Sequence, residues 1–306
     1  MRDNDEGAAL NIGTLNGLFA IPGHLHFEAG EGGLAKVAVN NAYAHCEIYL
    51  HGAHITSFGP HDEDEVLWLS KSAQYSDAKA IRGGIPICWP WFGPDPENKG
   101  RAQHGFARNS LWTVFGTSVN AKGETLLRLG LQDSEASRKL WPYVFMTEYH
   151  ITVGKTLHLE LKTINEDEKP FALSSALHTY FAVDHTDNVR VEGLEGKNYI
   201  DQLRSNVQCM QEGDVIFTGE VDRIYEDDTP CCIVHDGARS IQVAKKGSKS
   251  TVIWNPWAEK AAMMGDFDDE GYQHMVCIET ANAGFDMRTL KPGESHVLTQ
   301  SIVLCK

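Results

Sequence analysis

The run Val144-Phe145-Met146-Thr147-Glu148-Tyr149-His150-Ile151-Thr152-Val153, followed after Gly154-Lys155 by Thr156-Leu157-His158-Leu159-Glu160-Leu161-Lys162-Thr163, sets the fold class. In the second segment Leu157, Leu159 and Leu161 alternate with His158, Glu160 and Lys162. That period of two lays one face of a strand on a core and turns the other to water. Working outward, residues 34–39, 43–50, 52–58, 66–69 and 126–131 carry strand patterns on the N-terminal side. On the C-terminal side the same holds for 171–183, 189–194, 216–225, 231–234, 240–244, 251–254, 276–280 and 296–304. Gly, Pro, Asn and Asp clusters separate them, as turns require. Only 133–141, stopped by Pro142, and 258–264 have helical character. Many strands at short spacing and few helices predict an all-β chain built as an antiparallel sandwich or barrel, not a βαβ sheet. Residues 1–33, rich in Gly and Asn, read as a partly ordered leader. Nothing resembling a linker divides 34–306, which is expected to form one domain.

The composition restricts the partners. A formal net charge of -15 over 306 residues leaves no excess of Lys and Arg to neutralise a polyphosphate, which argues against nucleic acid and against an anionic membrane surface. A small anionic ligand requires a local positive cluster, for which Arg82, Arg101 and Arg108 are the candidates. Seven cysteines lack any C-x-x-C pair and read as free thiols of a reducing compartment. Without a signal-like apolar run or a stretch long enough to span a bilayer, the expected location is the cytoplasm. Oligomeric state is not legible.

Ile81-Arg82-Gly83-Gly84-Ile85-Pro86-Ile87-Cys88-Trp89-Pro90-Trp91-Phe92-Gly93-Pro94, closed by Gln103-His104-Gly105-Phe106-Ala107-Arg108, reads as a pocket rim. Its prolines and glycines are wrong for a core strand, its aromatics can supply flat walls, and each arginine offers a planar fork suited to phosphate or carboxylate. Within 171–181, strand alternation places Phe171, Leu173, Leu177 and Phe181 on one face, and His178 with Ala172, Ser174, Ala176 and Tyr180 on the other. Glu279 shares a face with Met275, Cys277 and Ala281. Such a carboxylate is either desolvated and moved toward the working range of a general base, or held in a buried ion pair or at a strand end that reaches water. Trp254-Asn255-Pro256-Trp257 either offers indoles to stack on a pyranose and an amide to bind hydroxyls, or is a turn pinned by core tryptophans. Tyr199 and Asp201 follow a turn and are either ligand contacts or part of a solvated strand. The acidic run 266–270 reads as a solvated loop.

Together, Arg-Gly-Gly-Ile-Pro at 82–86, Gln-His-Gly-Phe-Ala-Arg at 103–108, Leu-His-Thr-Tyr-Phe at 177–181, Trp-Asn-Pro-Trp at 254–257 and Glu-Thr-Ala-Asn at 279–282 resemble the hexose-6-phosphate mutarotases (glucose-6-phosphate 1-epimerases) of the aldose 1-epimerase superfamily. Trp89-Pro90-Trp91 is similar to the bacterial branch. The resemblance implies a large β-sandwich of the galactose mutarotase type, with the site on the concave face of one sheet. It further implies His178 as general acid, Glu279 as general base and His104 as an orienting residue. Arg82 and Arg108 are implied to hold a phosphate and Asp201 to meet sugar hydroxyls; Gln103, Trp254 and Asn255 are further candidates for substrate contacts. The family often has Tyr-x-Asp-Lys where this chain has Tyr199-Ile200-Asp201-Gln202.

The implied reaction exchanges the α and β anomers of a hexose 6-phosphate. A base takes the proton of the C1 hydroxyl, an acid protonates the ring oxygen, and the ring recloses after rotation. The expected partner is thus a sugar phosphate, with no cofactor and no metal required. A mutarotase of neutral aldoses, or a carbohydrate-binding module on the same sandwich, are the alternatives; fold alone does not choose among them.

Overall fold

The structure is a computed structural model that describes residues 11–237 and 239–305. Its back wall is a nine-stranded antiparallel sheet. The strand order is Val215–Ile216, Val189–Glu192, Cys231–Asp236, Arg239–Lys246, Ser295–Cys305, Thr156–Asn165, Phe145–Val153, Thr125–Gln132 and Thr113–Val119. The alternation read from the sequence is realised here. Phe145, Tyr149 and Ile151 are buried, as are Leu157, Leu159 and Leu161, while His150 sits opposite Glu160 on the outer face.

A second, eight-stranded sheet lies across the core from it. Its order is Val207–Met210, Asn198–Asp201, Val221–Glu226, Ser250–Asn255, Met275–Asn282, Ser175–Leu177 and Ile87–Cys88, with Tyr180–Ala182 also paired to Met275–Asn282. Every residue of Ser250–Asn255 and Met275–Asn282 is buried, because both faces of these central strands are covered. Val276 and Ile278 point into the main core; Met275, Cys277, Glu279 and Ala281 line the opposite face. Buried hydrogen bonds tie the two walls. Trp89 Nε1 donates to Thr163 Oγ1 at 2.9 Å, Thr179 Oγ1 to Gln300 Oε1 at 2.8 Å, and Gln300 Nε2 to Thr280 Oγ1 at 3.2 Å. Each satisfies polar groups that could not be left unpaired in the core. A four-stranded sheet, Leu25–Ala29 to His54–Pro60 in chain order, and a pair formed by Phe171–Leu173 and Arg288–Leu290 complete the body. The fold is the expected all-β sandwich.

Several local readings need correction. Residues 11–33 of the presumed leader contain a helix, Ile12–Phe19, capped by Asn11 Oδ1 on the Thr14 amide, and the strand Leu25–Ala29, which pairs with Ala35–Asn40. Residues 1–10 lie outside the described residues. Segment 66–69 makes isolated bridges, not a strand, because Trp68 N donates to Tyr180 O while Trp68 O accepts from Gly84 N. Segment 171–183 is three strands, interrupted where Ser174 N turns to Pro90 O and His178 N to Pro86 O. Leu173, Leu177 and Phe181 nevertheless stay in the main core. Of the two helices expected, Glu135–Leu140 begins on a Ser134 capping box and Trp257–Met263 follows Pro256.

Three glycines of the 81–108 stretch, Gly83, Gly84 and Gly105, admit neighbouring backbone. Gly84 has φ +60°, and a Cβ there would lie 2.1 Å from Ile55 O. Gly105 has φ +73° and lies against the Trp89 carbonyl, which accepts the amides of Phe106 and Ala107; a Cβ would come within 1.9 Å of that oxygen. Strain and overlap act together there. Gly105→Ala is expected to cost roughly 2–4 kcal/mol, measured as a lowered urea midpoint at unchanged m-value.

Candidate active site

The centre of the site is built by two neighbouring strands of the eight-stranded sheet. Met275–Asn282 carries Glu279 on the face away from the core, and the break after Ser175–Leu177 brings His178 beside it. His178 Nε2 lies 3.4 Å from Glu279 Oε1, with the two residues 8% and 1% exposed. His178 Nδ1 and Glu279 Oε2 are buried and make no hydrogen bond among the described residues. Unpaired buried atoms of this kind are rare in folded proteins, and a ligand that pairs with them is one explanation. Burial raises the Glu279 carboxyl well above its ordinary range, Asp222 adds to this, and Arg108 opposes it. Burial likewise holds the His178 imidazole well below its usual value, and His104, Arg108 and Arg82 push in the same direction. Both effects favour uncharged partners. These directions favour a carboxyl that keeps its proton facing a neutral imidazole.

Aromatic rings fix the imidazole. Tyr180 stacks on His178 at 4.8 Å and 10°, and Trp254 meets both edge-on at 5.8 and 5.9 Å. His104, in a left-handed conformation at φ +63°, stands 6.0 Å from His178 ring to ring. Its Nδ1 accepts from Gly93 N at 3.2 Å, which leaves Nε2 as the protonated nitrogen. Burial and the two arginines lower its pKa to about 3, so it is a neutral donor.

Beside this centre opens a cavity of about 360 Å³ lined by Lys79, Arg82, Pro86, Arg108, Tyr180 and Asp266, among others. Arg82 donates from Nη1 to Tyr180 OH at 3.0 Å and from Nε and Nη2 to Asp266 at 3.2 and 3.3 Å. Arg108 Nη2 donates to Gln103 O at 3.0 Å, while its buried Nε lacks a partner among the described residues.

The structure thus gathers His178, Glu279, His104, Arg82, Arg108 and Trp254. It does not bring in the other candidates. Asp201 belongs to the cross-strand row Asp201, Arg223, Ile253 and Ile278, whose last two members face the main core, and its carboxylate accepts from Leu203 N. Asn255 is fully buried with its amide committed: Nδ2 donates to Tyr272 O and Met275 O, and Oδ1 accepts from Trp257 N. Gln103 reaches Arg108 through its carbonyl, with its side chain exposed. Arg101 leaves the positive cluster, paired with Asp95 and Glu97 and lying over Trp91 at 4.4 Å. Trp89 and Trp91 are core residues, not pocket walls. The acidic run is solvated only at Asp269 and Glu270: Asp268 accepts from Lys71 N and Ser72 N, and Phe267 is buried against Trp68.

The carboxylate missed by the sequence reading is Asp222. It heads the row Asp222, Trp254, Cys277 and Tyr180, on the site face of the sheet. Gln202 Nε2 donates to its Oδ1 at 2.5 Å, so the residue standing in place of the usual Lys serves Asp222 and not Asp201. Alternation in Val221-Asp222-Arg223-Ile224 was the available signal, masked because two adjacent residues are charged. Arg223 is kept on the other face by Tyr199, whose ring lies 4.8 Å below its guanidinium.

With this geometry in hand, the sequence profile of the aldose 1-epimerase family matches residues 36–303. The chain belongs to the aldose 1-epimerase family. An Escherichia coli K12 member provisionally named glucose-6-phosphate 1-epimerase is 38% identical over 276 residues, 89% of this chain and 91% of that one. A Cenchrus ciliaris member with the same provisional name is 38% identical over 274 residues, 86% and 82% of the two chains. The crystal structure of a Salmonella typhimurium protein described as a mutarotase superposes with a TM-score of 0.87 at 34% identity, covering 94% of this chain and 96% of that chain. The family makes this protein an epimerase on a mutarotase-type sandwich.

Glu279 also affects stability in a direction that can be measured. Its pKa is raised in the folded state, so the unfolded chain loses this proton first as pH rises. Stability attributable to the protonated group is intact below the unfolded value and falls as pH climbs toward the folded one. Glu279→Gln is expected to raise the urea midpoint at pH 7, and the gain should vanish near pH 4.

Proposed function

We propose that the protein interconverts the α and β anomers of a hexose 6-phosphate, glucose 6-phosphate foremost. The observation that carries this reading is a buried acid–base pair, His178 and Glu279 at 3.4 Å, beside a cavity lined by three cations. The provisional names of the relatives support it. In the loaded site the phosphate dianion lies among Arg82, Arg108 and Lys79. It offsets the positive charge that weighs against imidazolium, and the shared proton passes from Glu279 to His178. Glu279 then accepts the C1 hydroxyl proton while His178 gives its proton to the ring oxygen, and the ring C1–O bond breaks to leave the aldehyde. After rotation about C1–C2 the opposite transfers close the ring. His104 Nε2–H and Asp222 orient hydroxyls, and Trp254 covers the apolar face of the sugar. The partner is a small sugar phosphate, not a nucleic acid or a membrane. No helix among the described residues is long and apolar enough to cross a membrane, and a cytoplasmic setting suits a phosphorylated substrate.

Exchange spectroscopy on equilibrated glucose 6-phosphate reads the reaction directly. The protein should accelerate anomer exchange of the phosphorylated sugar well above that of free glucose or galactose. Equal acceleration of all three would make it a neutral aldose mutarotase, and none would make it a binding module. Glu279→Gln should lower kcat by about 10²–10⁴ with little change in affinity. Arg108→Ala should raise KM for glucose 6-phosphate on the order of ten- to a hundredfold, far more than for free glucose.

A further inference from the structure

Arg82 carries five N–H donors in a rigid plane. Asp266 takes the hydrogen on Nε and one on Nη2, and Tyr180 OH takes one on Nη1. One hydrogen remains on each terminal nitrogen, the pair that grips two oxygens of a phosphate at once. Neither partner is free to wander. Tyr180 is 1% exposed and clamped between His178, Trp68 and Trp254. Asp266 precedes Phe267, buried against Trp68, and Asp268, which holds the turn at 70–72. All three residues of the brace line the cavity.

We infer that Asp266 and Tyr180 are positioning residues that fix the Arg82 guanidinium so that its terminal edge faces the substrate phosphate, and that they set the preference for phosphorylated over free sugars. The inference rests on the proposed reaction and adds two residues to its specificity. Asp266 acts through Arg82, although its own charge is of the wrong sign for a phosphate site. The opposite expectation, that Asp266 only screens Arg82 and competes with substrate, predicts tighter binding once it is removed.

The test compares wild type, Asp266→Ala, Tyr180→Phe, Arg82→Ala and the Arg82→Ala/Asp266→Ala double variant, each checked for a wild-type unfolding midpoint. Asp266→Ala should lower the ratio of kcat/KM for glucose 6-phosphate to that for glucose by about tenfold, the order expected when one charge-assisted contact loosens. The fall should come from KM. Tyr180→Phe, which keeps the ring stack, should move the ratio the same way. In the Arg82→Ala background removal of Asp266 should add nothing, since residues acting through one another are not additive. An unchanged or raised ratio in Asp266→Ala, or a full additional loss in the double variant, would overturn the inference. Calorimetric titration with inorganic phosphate reads the brace without turnover. Weaker binding in Asp266→Ala, absent in the Arg82→Ala background, would uphold the brace even if wild type turned over no sugar phosphate; equal or tighter binding would reject it.

Discussion

Glu279 is a carboxyl with almost no access to water, 3.4 Å from an imidazole that has little more. Keeping two ionisable groups in that condition is costly unless they stay neutral or exchange a proton. The surrounding structure can be read as what that burial requires. Met275, Cys277 and Ala281 surround the carboxyl on its own strand, Tyr180 and Trp254 wall the imidazole, and the arginines stand far enough to the side to bind a ligand without making a fixed ion pair with Glu279. Since neutral His with protonated Glu and imidazolium with carboxylate contain the same number of protons, the pair can begin and end a half-reaction without drawing on solvent. A symmetrical isomerisation suits such a site.

The positive side of the pocket obeys a different rule. In a chain of net charge -15, arginines are readily captured by local acids. Arg101 shows the outcome when capture is complete: Asp95, Glu97, the Leu140 carbonyl and the Trp91 ring absorb it into a loop. Arg82 is held by Asp266 and Tyr180 on two sides only, and Arg108 by a single carbonyl. The three arginines differ in how many donors remain unclaimed.

The all-β class, the small-residue face around His178 and the desolvated row around Glu279 were legible because they depend on a period of two, which survives local breaks. Even where 171–183 divides into three strands, Thr179 still points to Gln300 across the core and His178 still points to Glu279. Legibility failed where strand register decides the matter. Asp201 and Asp222 are both acids on neighbouring strands, and only the pairing of Asp201 with Arg223 and of Asp222 with Trp254 shows which faces the pocket. It failed again for Asn255, whose amide looks suited to hydroxyls until its partners across 17 and 20 residues are known. The brace on Arg82 joins positions separated by 98 and 184 residues, beyond the reach of any local pattern.

The hydrogen bonds from Thr179 through Gln300 to Thr280 join the positions next to His178 and Glu279 to the back sheet. Loops usually supply active-site groups and bring their mobility with them. In this protein His178 and Glu279 sit side by side on one sheet, and the threonine next to each is hydrogen-bonded to the same glutamine of the other sheet. Gln300 is thus a common anchor, and a displacement at this one side chain reaches the backbone beside His178 and beside Glu279 together.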